Sequence, residues 1–174
     1  IEGHEATIYE AESAPGGMLK YGIPEYRLPK DILNKEVELI TNLGVNIQYN
    51  TRLGKDITIE SLKQDGYQAI LLAIGAWKPA SMRVEGEDTE GVLSGIGFLY
   101  DVANGNKINI GQKVIVVGGG NTAIDAARTS LRLGAEVTVL YRRTRKEMPA
   151  EDIEIHASDE EGIKMEFLTA PTKI

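Results

Sequence analysis

The sequence predicts an α/β protein of two successive β-α-β units in three layers, helix on sheet on helix, with both units incomplete. Three observations carry this. The segment Gly3-His4-Glu5-Ala6-Thr7-Ile8-Tyr9-Glu10 recurs as Gly134-Ala135-Glu136-Val137-Thr138-Val139-Leu140-Tyr141. Ahead of the second copy alone, the β-branched run Val114-Ile115-Val116-Val117 leads into Gly118-Gly119-Gly120-Asn121-Thr122-Ala123. From Thr122 to Leu133 apolar residues then recur at helical spacing and stop at Gly134.

The elements follow in order. The first copy is a strand ending at Glu10. Pro29 opens a helix whose apolar residues Ile32, Leu33, Val37, Ile40 and Leu43 share one face, and Gly44 closes it. Val45-Asn46-Ile47-Gln48-Tyr49 alternates as a half-buried strand, Thr58 caps a short helix through Gln64, and Ile70 to Ile74 reads as a buried strand ending at Gly75. Trp77-Lys78-Pro79 interrupts regular structure and marks a domain boundary near Pro79, giving units 1–79 and 80–174. Ser94 caps a helix over Gly97 to Ala103. After the second copy, Ile163 to Leu168 alternates as a further strand. By analogy with the second copy, a glycine turn belongs roughly twenty residues before Glu10. Ile1 therefore reads as a truncated start, and the chain as an internal piece of a larger protein.

Strand, glycine turn, helix and strand form the Rossmann-type dinucleotide motif, and each small residue in it has a mechanical reason. Gly118 permits the tight turn and Gly120 lets backbone approach a pyrophosphate, while Ala123 and Ala127 let the helix lie close on the sheet. The helix start supplies free amide hydrogens and the positive end of its dipole, which suit phosphate oxygens. A flexible loop is the alternative for any isolated glycine cluster.

The copies diverge where nucleotide preference is set. An acidic residue after the second strand of such a motif usually accepts hydrogen bonds from the adenosine ribose. Glu10 holds that place in the first copy. In the second, Tyr141 holds it, and Arg142, Arg143, Arg145 and Lys146 follow. A carboxylate repels a ribose 2'-phosphate, whereas paired guanidiniums bind it bidentately, so the second site favours NADP(H). A solvated basic surface is the bland alternative.

Composition bounds the rest. The chain has 174 residues, 42% hydrophobic and 26% charged, with a net charge of −7, which argues against nucleic acid as a partner. No stretch is long and apolar enough to span a membrane, no signal peptide is visible, and the expected compartment is cytoplasmic. There are 0 cysteines, so a C-x-x-C redox pair, thiolate cluster ligation and disulfides are excluded within this chain. His4 and His156 are isolated and read as solvated, no metal constellation is visible, and Glu151, Asp152, Glu154, Asp159, Glu160 and Glu161 read as a solvated helix face.

Pro15-Gly16-Gly17-Met18-Leu19-Lys20-Tyr21-Gly22-Ile23-Pro24-Glu25-Tyr26-Arg27-Leu28-Pro29-Lys30 resembles the small (beta) subunit of NADPH-dependent glutamate synthase. So do Ala73-Ile74-Gly75-Ala76, the turn from Gly118 to Ala123, and Tyr141-Arg142-Arg143 with Glu147-Met148-Pro149-Ala150. Similar modules occur in dihydropyrimidine dehydrogenase and in the large subunit of ferredoxin:NADP oxidoreductases. The resemblance implies a pyridine nucleotide-disulfide oxidoreductase-like flavoprotein, with FAD in the first domain and NADPH in the second. It implies that Glu10, Gly16, Gly17, Met18, Arg27 and Leu53 serve FAD. It further implies that Gly118, Gly119, Gly120, Asn121 and Thr122 hold the NADPH pyrophosphate, with Arg142, Arg143 and Lys146 at the 2'-phosphate. Electrons would pass to an iron-sulfur large subunit that makes glutamate from glutamine and 2-oxoglutarate.

On residues alone, Arg27 reads as a surface cation and Gly16-Gly17 as an ordinary turn, and only the resemblance reverses the reading of Arg27. Hydride transfer between two cofactors asks the protein to position rings and exclude water, so no catalytic acid or base is assigned. A redox-inactive nucleotide sensor or scaffold is the competing class. Without the first glycine turn, FAD is expected to bind this stretch weakly or not at all, and NADP(H) to be the better ligand.

Overall fold

The computed structural model describes residues 3–174; the start at Ile1 lies outside them. Two compact units are present, one comprising residues up to Lys20 with Glu25–Ala76, the other Tyr21–Pro24 with Trp77–Ile174.

In the first unit β1 (Thr7–Tyr9) pairs in parallel with β2 (Asn46–Gln48), in the register Ile8↔Ile47. The short helix α1 (Met18–Tyr21) starts here, and its last residue belongs to the second unit. Helix α2 (Lys30–Thr41) begins after Pro29, whose missing amide is no loss at a helix start. Of its expected apolar stripe Leu33 is buried, while Ile32, Ile40 and Leu43 stay exposed. Helix α3 (Ile59–Gln64) is capped reciprocally: the Thr58 hydroxyl accepts from Ser61 N at 3.0 Å, and Ser61 Oγ accepts from Thr58 N at 3.0 Å.

The strand expected from Ile70 to Ile74 does not form, and Leu71 and Ile74 are 89% and 70% exposed. Its composition suits a buried strand, but a strand exists only through ladder hydrogen bonds with a neighbour, and none of the described residues supplies one.

The second unit is a parallel sheet in the order β3-β4-β5, formed by β3 (Lys113–Val117), β4 (Glu136–Tyr141) and β5 (Lys164–Phe167). Val114 lies opposite Val137, and Val139 opposite Met165. Helix α4 (Gly95–Ala103) starts at Ser94, whose hydroxyl accepts from Gly97 N at 3.1 Å. Helix α5 (Asn121–Arg132) joins β3 to β4, and α6 (Asp152–Glu160) joins β4 to β5. From Ile124 to Ser130 every residue of α5 is buried, because three partners surround it. Ala127 meets Val137 and Val139 of the sheet, Ala126 meets Phe98 and Leu99 of α4, and Ile124 meets Ile155 of α6. Alanine at two of these positions allows the close approach. Tyr21 is also buried in this unit, its ring 5.1 Å from that of Tyr100 and 6.3 Å from that of Trp77.

The acidic run after Ala150 is not a uniformly solvated face. Glu154 and Glu161 turn onto Arg128, whose side chain is 9% exposed, and Asp159 pairs with Arg145. Arg128 Nη2 donates to Glu161 Oε1 at 2.7 Å and Arg132 Nη2 donates to the same oxygen at 2.8 Å. A guanidinium drawn into a helix-helix interface needs carboxylates with it, and Glu154 of α6 and Glu161 just after it supply them.

Candidate dinucleotide-binding site

The second unit places its glycine turn at the carboxyl end of β3. Gly118 continues the ladder by donating to Leu140 O at 3.0 Å, then takes φ +144°, a conformation that disfavours any side chain. Gly119 is glycine for a different reason: a Cβ there would lie 2.6 Å from the Tyr141 ring. Gly120 caps α5, its carbonyl accepting from Ala123 N at 2.9 Å and Ile124 N at 3.1 Å. The nearest protein atom to a Cβ on Gly120 is Pro149 Cγ at 3.8 Å, so the protein itself leaves that space open.

Among the described residues the amides of Gly119, Gly120, Asn121 and Thr122 donate to no protein acceptor. Four clustered donors at the positive end of a buried helix fit an anionic pyrophosphate. A groove of about 1050 Å³ leads away from Gly120, Asn121 and Thr122 along Ile115 and Val117, with Leu93 and Ile96 also lining it. Arg142, Arg143 and Lys146 are not part of this lining.

Those cations follow β4. Arg142, Arg143 and Lys146 are exposed, and no ion pair engages them among the described residues. Arg145 is different, since it is committed to Asp159. The segment that carries them is tightly organised. Glu147 Oε2 accepts from Thr144 N at 3.0 Å and from Thr144 Oγ1 at 3.1 Å. The Thr144 amide, followed by its hydroxyl, holds the Glu147 carboxyl below its usual range, and the charge of Arg143 adds a smaller effect. The Tyr141 hydroxyl donates to Glu147 O at 2.7 Å.

Two hydrogen bonds fasten this segment to the glycine turn: Ala150 N donates to Gly119 O at 3.1 Å, and Glu151 N to Asn121 Oδ1 at 3.0 Å. Met148 and Ala150 pack beneath with Ile124 and Ile155. Sequence reasoning assigned no role to the Asn121 side chain or to the Tyr141 ring. A third glycine at a position where the motif tolerates any residue was the available signal.

In the first unit, Glu10 N donates to Gln48 O at 2.8 Å, which seats Glu10 at the end of the β1-β2 ladder. Its Oε1 accepts from Glu12 N at 2.9 Å. Leu53 follows a stretch that runs beside this end, where Asn50 N donates to Glu12 O and Thr51 N to Glu10 O. Gly16 and Gly17 take φ +116° and +51° before Met18, and a Cβ on Gly16 would meet Leu33 Cδ2 at 2.8 Å, so the turn requires glycine whatever it binds. Arg27 is half-buried between Pro24 and Pro29.

Parallel strands, a glycine turn under a helix start, and a match over residues 2–174 decide the classification. The chain belongs to the pyridine nucleotide-disulphide oxidoreductase family. It is 50% identical over 180 residues to the NADPH-Fe(3+) oxidoreductase subunit beta of Geobacter sulfurreducens, covering all of this chain and 27% of that protein. It is 46% identical to the NADP(+)-dependent formate dehydrogenase subunit beta of Moorella thermoacetica, over 99% of this chain and 25% of that one. Identity to the glutamate synthase [NADPH] small chain of Escherichia coli K12 is 33%, over 99% and 39%.

Among solved structures, a 2-naphthoyl-CoA reductase complex matches with a TM-score of 0.77 at 25% identity, over 99% of this chain and 26% of that one. Mycobacterium tuberculosis FprA in complex with NADPH also matches with a TM-score of 0.77, at 19% identity, over 93% and 42%. The fold is thus the mixed α/β, Rossmann-like fold of FAD- and pyridine-nucleotide-dependent oxidoreductases. The chain spans between about a quarter and two fifths of the length of these curated relatives. Among the described residues no helix is long and apolar enough to cross a membrane.

Proposed function

We propose that this chain is the NADP(H)-binding part, with a portion of the FAD-binding part, of an electron-input flavoprotein module. The reading assigns 1–79 to a partial FAD domain and 80–174 to a partial NADP(H) domain. The observation that carries it is the pair of exposed guanidiniums Arg142 and Arg143, engaged in no ion pair among the described residues, beyond a helix start with four unclaimed amides.

Gly119, Gly120, Asn121 and Thr122 bind the pyrophosphate through their amides, with Gly118 setting the turn, and Arg142, Arg143 and Lys146 bind the 2'-phosphate. The groove along Ile115 and Val117 leaves room for the remainder of the dinucleotide. In the first unit Glu10, Gly16, Gly17, Met18, Arg27 and Leu53 are proposed for FAD. The bound cofactors supply hydride transfer from nicotinamide to flavin; the chain's part is to hold them and keep water out.

Electrons then leave to a partner, proposed as an iron-sulfur large subunit, in the cytoplasm. Glutamate synthesis from glutamine and 2-oxoglutarate is one outlet for such a module. The relatives at 50% and 46% identity are named for Fe(3+) reduction and formate oxidation, so the supported common ground is the NADP nucleotide rather than the final acceptor.

The test is anaerobic titration of the full-length protein with NADPH and NADH, followed by its flavin absorbance. Bleaching by NADPH at low concentration is expected. The R142A/R143A variant is expected to lose about 100-fold in NADPH affinity and little for NADH, since each charged hydrogen bond contributes about 1.5–3 kcal/mol. Bleaching by NADH alone, or an unchanged double variant, would overturn the reading. Nucleotide binding with no bleaching by either would point instead to a redox-inactive sensor.

A further inference from the structure

Tyr141 stands where a dinucleotide site usually places an acidic residue toward the ribose, yet its polar tip is already engaged. The hydroxyl donates to Glu147 O at 2.7 Å, and the ring lies where a side chain on Gly119 would have to go. The residue thus ties together three things: the end of β4, the far end of the basic segment, and the middle of the glycine turn.

Between Tyr141 and Glu147 the segment closes on itself. Glu147 N donates to Thr144 O at 3.0 Å, Met148 N to Arg145 O at 3.1 Å, and the Glu147 carboxylate accepts twice from Thr144. From the other side, Leu168 N donates to Arg143 O and Thr169 N to Tyr141 O, each at 3.1 Å. Arg142 and Arg143 therefore project from a backbone pinned at several points. Among the described residues the Tyr141 hydroxyl makes the side-chain bond from the strand end across this loop, and a one-atom change can remove it.

We infer that Tyr141 is a positioning residue for recognition of the ribose 2'-phosphate: it fixes the loop that presents Arg142 and Arg143 relative to the glycine turn. The inference rests on the NADP(H) reading above. Long cationic side chains lose rotamer freedom when they grip a phosphate, and a pre-set backbone lowers the further ordering that binding requires. Without the hydroxyl bond, the loop samples more arrangements, few of them with both guanidiniums on one phosphate. Discrimination falls, while the pyrophosphate amides are untouched because the ring still covers Gly119.

The experiment compares 2',5'-ADP with 5'-AMP by titration calorimetry on the full-length wild type, Y141F and R142A/R143A. Y141F keeps the ring and removes one oxygen. It is expected to lower the ratio of 2',5'-ADP to 5'-AMP affinity by about fivefold, the size of one ordinary hydrogen bond, with 5'-AMP binding unchanged within about twofold. R142A/R143A is expected to abolish the preference. If R142A/R143A abolishes it and Y141F retains the wild-type ratio, the positioning role is wrong and the NADP(H) reading stands. If Y141F weakens both ligands equally, Tyr141 is a packing residue and the inference is likewise overturned. If R142A/R143A leaves the ratio intact, the NADP(H) reading itself fails, and this inference with it.

Discussion

The two copies of the strand motif share an alternating pattern and a leading glycine, and have very different surroundings. Val137 and Val139 of β4 are 2% and 1% exposed, whereas Ile8 of β1 is 45% exposed. β4 lies between β3 and β5 with α5 packed over it; β1 has β2 as its ladder partner. The contrast teaches that an alternating β-branched segment specifies a strand, while its burial is decided by the layers laid against it. Ion pairing differs in the same sense. The pair Asp31–Lys35 in the first unit joins side chains 68% and 74% exposed, while Arg128 in the second is 9% exposed between two glutamates.

The largest expected effect that would sharpen this contrast is on core packing. Val139→Ala removes two methyl groups from a filled core and should cost about 2–3 kcal/mol, while Ile8→Ala should cost well under about 1 kcal/mol. The measurement is the shift in urea midpoint at constant slope. Equal shifts would break the comparison.

Next come the ion pairs. Hydrogen bonds from Arg128, aided by Arg132 and opposed by burial, lower the Glu161 carboxyl from its ordinary value to about 2. A folded-state value below the unfolded one stabilises the fold above the unfolded pKa of 4.5, and that stabilisation is lost as pH falls from 4.5 toward 2. A quarter of the Glu161 side chain still meets water, so screening trims the expected loss in E161Q to about 1–2 kcal/mol at neutral pH. Asp31→Asn should change stability by less than about 0.5 kcal/mol. Unfolding curves between pH 5 and 2 should show the second unit's acid sensitivity diminished in E161Q.

The most localised effect belongs to a helix cap. Thr58→Ala removes the reciprocal cap of α3 and should cost about 1 kcal/mol, read out as faster amide exchange in residues 59–64 with the second unit unchanged. Spread of that exchange into β4 would break the comparison by showing that loss of the α3 cap is felt beyond the first unit.

What was legible in the sequence was local. Caps at Thr58 and Ser94, the proline before α2, the strand on either side of the Gly118 turn and the helix between them all follow from the backbone preferences of single residues and from periodicity. The elements that failed needed a neighbour. Ile70 to Ile74 has strand composition and no ladder, and the acidic run after Ala150 looked solvated because Arg128 of α5, which claims Glu154 and Glu161, lies 26 and 33 residues before them. The site divides the same way. Three glycines and two arginines were visible, but the reason for Gly119 was not, since it is a ring arriving from the end of β4.

By itself, then, the sequence determined an α/β chain with a glycine turn under a helix start and a basic rather than acidic residue set after the following strand, because these are properties of neighbours along the chain. Only the tertiary structure decided which charges are free to meet a ligand: Arg142 and Arg143 are, while Arg128, Arg132 and Arg145 are held by carboxylates of α6 and the turn after it. An ion pair depends on distance in space, and distance in space is what folding sets.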